Sequence, residues 1–542
     1  MANLVLGPML RHVDDTSATV WVETSEACEV EVLSGSQPTF RVGGRHYALV
    51  TVEGLEPGTS TDYEVRLDGE LVWPPADTTM PAPRIRTTTP GRPVRLAFGS
   101  CRYASPLSVG SKGAYGTDAL DAYALRLAAA PDEEWPDGLL LLGDQVYADD
   151  TSPITQDVIR RRRDTSEPPG LEVANFDEYA VLYGESWGDP LVRWLYSTVP
   201  TAMIFDDHDV HDDWNTSGIW RRRMQATSWW EERICGGLAA YWVYQHLGNL
   251  SPAALADDEV YAEVRKAEGD VGPMLHEFAA AADREADGSK GYRWSYRRDI
   301  GPVGIVVVDS RCGRILDDRE RAMVGTDEAG WIEQQLSTSD GDHLVVATSL
   351  PWLLPRAVHD LESWDEALCA GSRGERMARF GEKMREGADL EHWAAFRGSF
   401  DWLSGLLEGI ARGPSAPATI CVLSGDVHHQ YVAEAHWPST VDSRVYQIVA
   451  SPVHHTVPLS QRLVFRLGWS RTLEKVTKAL GRWDDVPPLP LSWTKTAGPF
   501  FGNALAELEL DGRAARFTLR RADAVREEQD VLTTVTSFEL NP

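Results

Sequence analysis

Cys101, Asp144, Tyr147, Asp207, His208, Asp426 and His428 lie far apart in the chain but share one local setting. Each follows a short apolar run that stops abruptly at polar residues. Leu96-Ala97-Phe98 stops at Gly99-Ser100-Cys101-Arg102, and Leu139 to Leu142 stops at Gly143-Asp144-Gln145-Val146-Tyr147. Ala202 to Phe205 stops at Asp206-Asp207-His208-Asp209. Ile420 to Leu423 stops at Ser424-Gly425-Asp426-Val427-His428-His429. Two more runs, Ile305 to Val308 and Leu344 to Ala347, stop at Asp309-Ser310-Arg311 and Thr348-Ser349. In α/β sheets, ligands sit beyond the carboxyl ends of strands. Thiol, phenol, carboxylate and imidazole groups gathered at such an edge make a metal site. A single aspartate after a strand says little, because turns and helix starts also use aspartate. The repetition of the pattern is what points to an assembled site.

Two or more metal ions need a bridging carboxylate, and Asp144, directly after a buried run, is the candidate. Arg102 and Arg311 follow two of the strand ends and are candidates to stabilise developing negative charge. They are read equally well as surface or salt-bridged arginines. Other readings also stay open. Cys101 has the character of a small core residue, Tyr147 that of a core phenol with a bonded hydroxyl, and His208 that of a structural histidine. His429 is the expected bystander of its pair. His454 and His455, after Val445 to Ala450, are expected to line the cleft without acting as ligands.

The elements that must position these groups begin at Val94, where short apolar runs start to alternate with helical patterns. That grammar belongs to βαβ units. Thr117 is the expected N-cap of a helix carrying Leu120, Tyr123, Ala124 and Leu127. Residues 1–88 instead alternate like strands and predict a small all-β sandwich of fibronectin or immunoglobulin type. Leu55 to Val65 resembles its tyrosine corner, in which the Tyr63 hydroxyl would bond to upstream backbone. This small domain shows no chemical cluster and reads as a structural or interaction module. The proline-rich stretch from Trp73 to Pro93 is the expected linker. Residues 89–542 form the expected second domain, with an aromatic helical insertion at about 220–290 and strands at the C-terminal end, around Ala504 to Leu510 and Ala515 to Leu519. Residues 459–483 form another helical patch. Its span 461–482 contains Arg462, Arg466, Arg471, Lys475, Lys478 and Arg482 but one acid, Glu474. A basic amphipathic helix of this kind suits peripheral contact with an anionic surface.

With 542 residues the chain is long enough for several units, and its 43% hydrophobic and 25% charged content is ordinary for globular domains. The formal net charge of −30 opposes a broad nucleic-acid surface. No apolar run reaches the length of a membrane span. The six cysteines are scattered without a CxxC, which argues against a disulfide framework. The N-terminal MANLVLGPMLRHVDD lacks a signal-like pattern. The expectation is a cytoplasmic monomer, with an exported form whose signal has been trimmed fitting equally.

Gly143-Asp144, Asp207-His208-Asp209 and Gly425-Asp426-Val427-His428 resemble the motif series of metallophosphoesterases. Gly99-Ser100-Cys101, the GDQVYAD run from Gly143 to Asp149, Asp206 to Asp209, and Gly425 to His429 resemble the alkaline phosphatase D (PhoD-like) family in particular. The likeness covers about residues 95–455. It implies a metallophosphoesterase-like α/β four-layer sandwich (αββα) preceded by the small β-domain. It also implies iron(III) held by Cys101, Asp144, Tyr147 and His428, with calcium held by Asp207, Asp212 and Asp426. Thiolate and phenolate suit a trivalent iron, and carboxylates suit calcium. The chain departs from the family pattern at Asp212-Asp213-Trp214, where many relatives carry Asn-Asn; this puts the transfer to Asp212 in question. The implied reaction is hydrolysis of a small-molecule or polymer phosphate ester, mono- or diester, by a metal-activated hydroxide. His208 would be the general acid, and Arg102 and Arg311 would stabilise the phosphoryl charge. A reading from another class is a metal-stabilised carbohydrate or surface-polymer binding protein without hydrolase activity. An iron redox protein is a third, opposed by the hard carboxylates around Asp207 and Asp426.

Overall fold

A computed structural model describes residues 1–104, 115–289, 291–318, 320–524 and 530–542. The N-terminal strands form two four-stranded sheets. One runs in the order Leu4–Val13, Ser17–Thr24, Arg45–Glu53, Phe40–Val42, and the other in the order Gly35–Pro38, Glu29–Val32, Val65–Leu67, Glu70–Trp73. Strand alternation explains how they pack. Val20, Val22 and Val50 point inward and share a core with Val30, Val32 and Val65 of the facing sheet. Trp21 and Tyr47 point the other way and join the main core of the chain. There the Tyr47 hydroxyl meets the Tyr244 hydroxyl at 2.9 Å. Tyr63 corrects the tyrosine-corner expectation. Its buried hydroxyl donates to the carbonyl of Ser197 at 2.5 Å, so it ties the β-domain to the rest of the chain instead of to its own upstream backbone. The expected linker is also partly structured: Arg84–Arg86 pairs antiparallel with Ser60–Asp62.

Two larger sheets follow. The six-stranded sheet has the order Thr201–Ile204, Gly138–Leu142, Val94–Gly99, Ala504–Asp511, Ala514–Ala524, Asp530–Asn541. Its first three strands are parallel and the C-terminal strands are antiparallel. The seven-stranded sheet has the order Tyr296–Ile300, Val303–Val308, His343–Thr348, Thr419–Ser424, Arg444–Val449, Gln430–His436, Ser492–Phe500. Four of its adjacent strands are parallel. These parallel strands are apolar throughout because both faces are covered. Ile305, Val307, Val345, Ala347 and Leu423 join the core that also holds Leu96, Phe98 and Leu139–Leu142 of the other sheet. Val306, Val308, Leu344, Val346 and Val422 face a second core, built with Ile332 and Leu336 of helix Thr326–Ser337 and Leu403 and Leu407 of helix Arg397–Ala411.

All six apolar runs that end at chemical residues are strands. The insertion is helical, from Gly218–Gln225 through Trp230–Tyr241 to Gly272–Asp283. The basic patch is two helices rather than one, Leu459–Gly468 and Arg471–Trp483. The N-cap expected at Thr117 is Asp118, whose carboxylate accepts the Leu120 N–H at 2.8 Å.

Candidate metal centre

The strand ends of the two sheets converge on one cleft. Cys101 follows Val94–Gly99, Asp144 follows Gly138–Leu142, and His428 lies beyond Thr419–Ser424. One ligand atom from each of Cys101, Asp144 and His428 falls within 4.8 Å of the others. A second group, equally tight, joins Asp144 to Asp206 and Asp207. Asp144 belongs to both groups, which is the geometry a bridging carboxylate needs. Such close approach demands unusual backbone. Cys101, Asp144, Asp426 and His428 have φ of 57°, 51°, 62° and 46°. Left-handed conformations in non-glycine residues cost about 1–3 kcal/mol each and cluster at functional sites. Two glycines let the loops meet. A side chain at Gly425 would collide with Ser100 Oγ, and one at Gly143 (φ 102°) would stand 2.6 Å from Asp206 Cβ.

The donor set fits metal ions. Asp144 Oδ1, the Tyr147 hydroxyl and Asp206 Oδ2 are buried without a hydrogen-bond partner among the described residues. Buried polar atoms are normally paired, so these three need an explanation. Burial, together with the neighbouring charges of Asp144 and Asp426, pushes the Cys101 thiol well above its ordinary range. Burial and the charges of Asp144 and Cys101 do the same to the Tyr147 phenol. Burial, reinforced by Asp206 and Asp207, raises the Asp144 carboxyl well above the carboxylate range, against the pull of His208. A multivalent cation at this point would reverse all three shifts and occupy the orphaned atoms. Burial and His455 lower His428 to about 3, leaving a neutral imidazole of the kind that binds metal.

The loops are braced from behind. The Asp209 carboxylate accepts the backbone N–H groups of Asp144 at 2.9 Å, Gln145 at 3.2 Å and Asp206 at 2.9 Å. Ser451 Oγ stands 3.1 Å from Cys101 Sγ. The ring of His455 stacks on Tyr147 at 5.4 Å and lies 4.6 Å from His428, while His454 bonds to the Tyr103 carbonyl. His429 bonds to the Val427 carbonyl and stacks on Phe465.

His208 enters the cleft with its Nδ1 held by Asp149 at 3.0 Å. Burial disfavours its charge, but Asp149 and Asp207 hold its pKa well above the ordinary value. Asp149 is itself buried, yet His208 keeps its carboxyl well below the usual range.

Other predicted residues are placed differently. The Asp212 carboxylate is 60% exposed and belongs to neither ligand group; it stands 4.0 Å from His208 Nε2. Arg102 is buried and committed to Asp118 at 2.8 Å and to the carbonyl of Ser186. Arg311 is fully buried, bonded to Asp206 at 2.5 Å and paired with Glu391 and, at 3.3 Å, with Asp207. Both arginines organise acidic residues, and of the two readings the sequence left open the salt-bridged one describes their contacts in this structure. Asp426 also falls outside the tight groups. Its carboxylate takes His392 Nε2 at 2.8 Å, while His392 Nδ1 meets Glu362 at 2.8 Å. Burial would raise the Asp426 carboxyl, but His392 lowers it to about 2. Sequence reading missed Asp149, Asp206 as a cluster member, Glu362, Glu391 and His392. Asp149 and Asp206 stood inside the quoted motifs and were legible as acids. No local pattern marks the other three.

A family model described as PhoD-like phosphatase matches residues 121–482. The chain belongs to this family. It is a metal-dependent phosphatase that hydrolyses phosphate esters, and the polymer-binding and redox alternatives lose their footing. A domain of unknown function, DUF7800, matches residues 1–85. The solved structure titled "Structure of PhoD" is similar over 99% of this chain and 90% of its own, at 14% identity and a TM-score of 0.58. That likeness is one of fold: an α/β phosphoesterase architecture behind an all-β N-terminal part. Purple acid phosphatase PPD1 from yellow lupin (Lupinus luteus) seeds aligns at 12% identity over 98% of this chain and 73% of its own, with a TM-score of 0.49. No curated protein matches the chain.

Proposed function

We propose that this phosphatase works through a mixed metal centre, iron(III) at Cys101, Asp144, Tyr147 and His428 with calcium beside the Asp144–Asp206–Asp207 carboxylates and the Asp426 carboxylate that His392 orients. The observation that carries the reading is Asp144 standing in both ligand groups with a buried oxygen that has no partner among the described residues. Thiolate, phenolate and imidazole favour the softer, higher-charge ion, and an all-carboxylate set favours calcium. When bound, the metals supply Lewis acidity and lower the pKa of a coordinated water. The protein contributes position and protons. Asp209 and the left-handed turns hold the ligand loops, and Arg311 offsets the charge of Asp206 and Asp207. His208, fixed through Nδ1 by Asp149, presents Nε2 toward the leaving group and gives it a proton. Asp212 serves at the cleft rim. The core shared by both large sheets, with helices against the far face of one, supports a four-layer αββα arrangement.

The test is hydrolysis of one chromogenic phosphomonoester and one phosphodiester by the purified protein, alongside metal analysis. Parent protein should carry iron and calcium and turn over at least one ester. Asp144→Asn should lose metal and activity together. Normal metal content with normal turnover in that variant removes the bridging role.

A further inference from the structure

The helices Leu459–Gly468 and Arg471–Trp483 present their apolar side to solvent. Among the described residues, fifteen large hydrophobic side chains are exposed, and six of them fall here: Leu463, Val464, Leu467, Leu473, Val476 and Trp483. In the second helix the buried positions are Thr477 and Gly481, one turn apart, and they carry almost no apolar surface. Leu473, Val476, Leu480 and Trp483, spaced by three, four and three, form a separate stripe. Soluble surface helices place such a stripe inward, so its outward direction is the anomaly. Exposed Arg471, Lys475 and Arg482 flank the stripe, with exposed Arg466 on the first helix. The single acid, Glu474, is neutralised by Lys478 at 2.5 Å.

The patch is basic in a chain of net charge −30. An anionic surface therefore repels most of the molecule and attracts this part, which sets orientation as well as affinity. Apolar residues with an interfacial tryptophan beside a basic band are the makeup of a helix lying in a lipid headgroup region. The patch also adjoins the metal cleft. Phe465 stacks on His429 at 4.6 Å, next to His428, and Trp469 packs on Tyr431 at 5.2 Å.

We propose that this helix pair docks the enzyme on an anionic lipid surface and turns the metal cleft toward phosphate esters held there. The docking stands on the patch alone; the substrate class rests on the phosphatase reading above. The probe is co-sedimentation of the full chain with vesicles of phosphatidylcholine and phosphatidylglycerol, compared with phosphatidylcholine alone. Parent protein should sediment with the mixed vesicles only, and less so as salt rises. Val476→Ser with Trp483→Ser should lower the partition coefficient at least about tenfold. Arg471→Glu with Lys475→Glu should lower it to a similar or greater extent. Both variants should keep parental turnover of a soluble chromogenic ester. Asp144→Asn should bind vesicles like the parent, so loss of catalysis and loss of docking separate cleanly. Three results overturn the proposal: no binding of parent to mixed vesicles, equal binding by both double variants, or a parent dimer that Val476→Ser with Trp483→Ser dissolves. The last would assign the stripe to a second copy of the chain.

Discussion

His208 Nδ1 lies 3.0 Å from both carboxylate oxygens of Asp149. The same carboxylate also accepts the Asp212 N–H at 2.6 Å, so it is anchored from a second side. An imidazole held in this way through Nδ1 has a fixed orientation and keeps its proton, the arrangement of an oriented general acid.

Asp149→Asn should keep metal content and fold but slow turnover, by about 100-fold or more on esters with poor leaving groups. Esters with good leaving groups, which need little protonation, should lose much less. A leaving-group series measures this. Equal losses across the series would refute the proton-donor role of the pair.

Tyr147→Phe should weaken or abolish a visible charge-transfer band in the iron-loaded protein, because a phenolate bound to iron(III) absorbs there. The Tyr147 hydroxyl is buried without a partner among the described residues, so removing it breaks no bond there. Absorption and iron content measured on the same sample decide the matter. An unchanged spectrum at full iron content would exclude Tyr147 as a ligand.

His392→Ala should weaken the second metal by about 10- to 100-fold, the usual penalty when a group orienting a metal ligand is lost. His392 spans Asp426 and Glu362, so the change frees the Asp426 carboxylate to rotate and strands Glu362. Calcium titration followed by calorimetry reads this independently of turnover. Parental affinity in a folded variant would make His392 a packing residue only.

Tyr63→Phe should destabilise the chain by about 1–3 kcal/mol, because the Ser197 carbonyl is left buried and unpaired. Turnover at low temperature should not change, since Tyr63 belongs to neither candidate metal-holding group. Urea unfolding measures the loss. If stability is unaffected, the contact between β-domain and catalytic part rests on its other links, such as Arg193 to the Gly7 carbonyl and Arg11 to Asn249.

Much of the site could be read from sequence because the candidate ligands are strand-end residues. A buried parallel strand is uniformly apolar, so its end shows as a break in composition, and the residue after the break is at the sheet edge. That logic located Cys101, Asp144 and His428, which the structure brings within 4.8 Å of one another. It left two readings open for Arg102 and Arg311. A long side chain can leave a strand end in several directions, and the acids that captured these two, Asp118 and Asp206, lie 16 and 105 residues away.

The sequence by itself determined the strand ends, the family motifs and the basic apolar character of residues 459–483. These are local properties, set by side-chain type and spacing along a few residues. Only the tertiary structure decided which acids share the cleft, that His392 pairs with Asp426, and that the apolar stripe of the last helix faces outward. Those outcomes depend on how distant elements pack and on which buried charges find partners, and no local pattern encodes that choice.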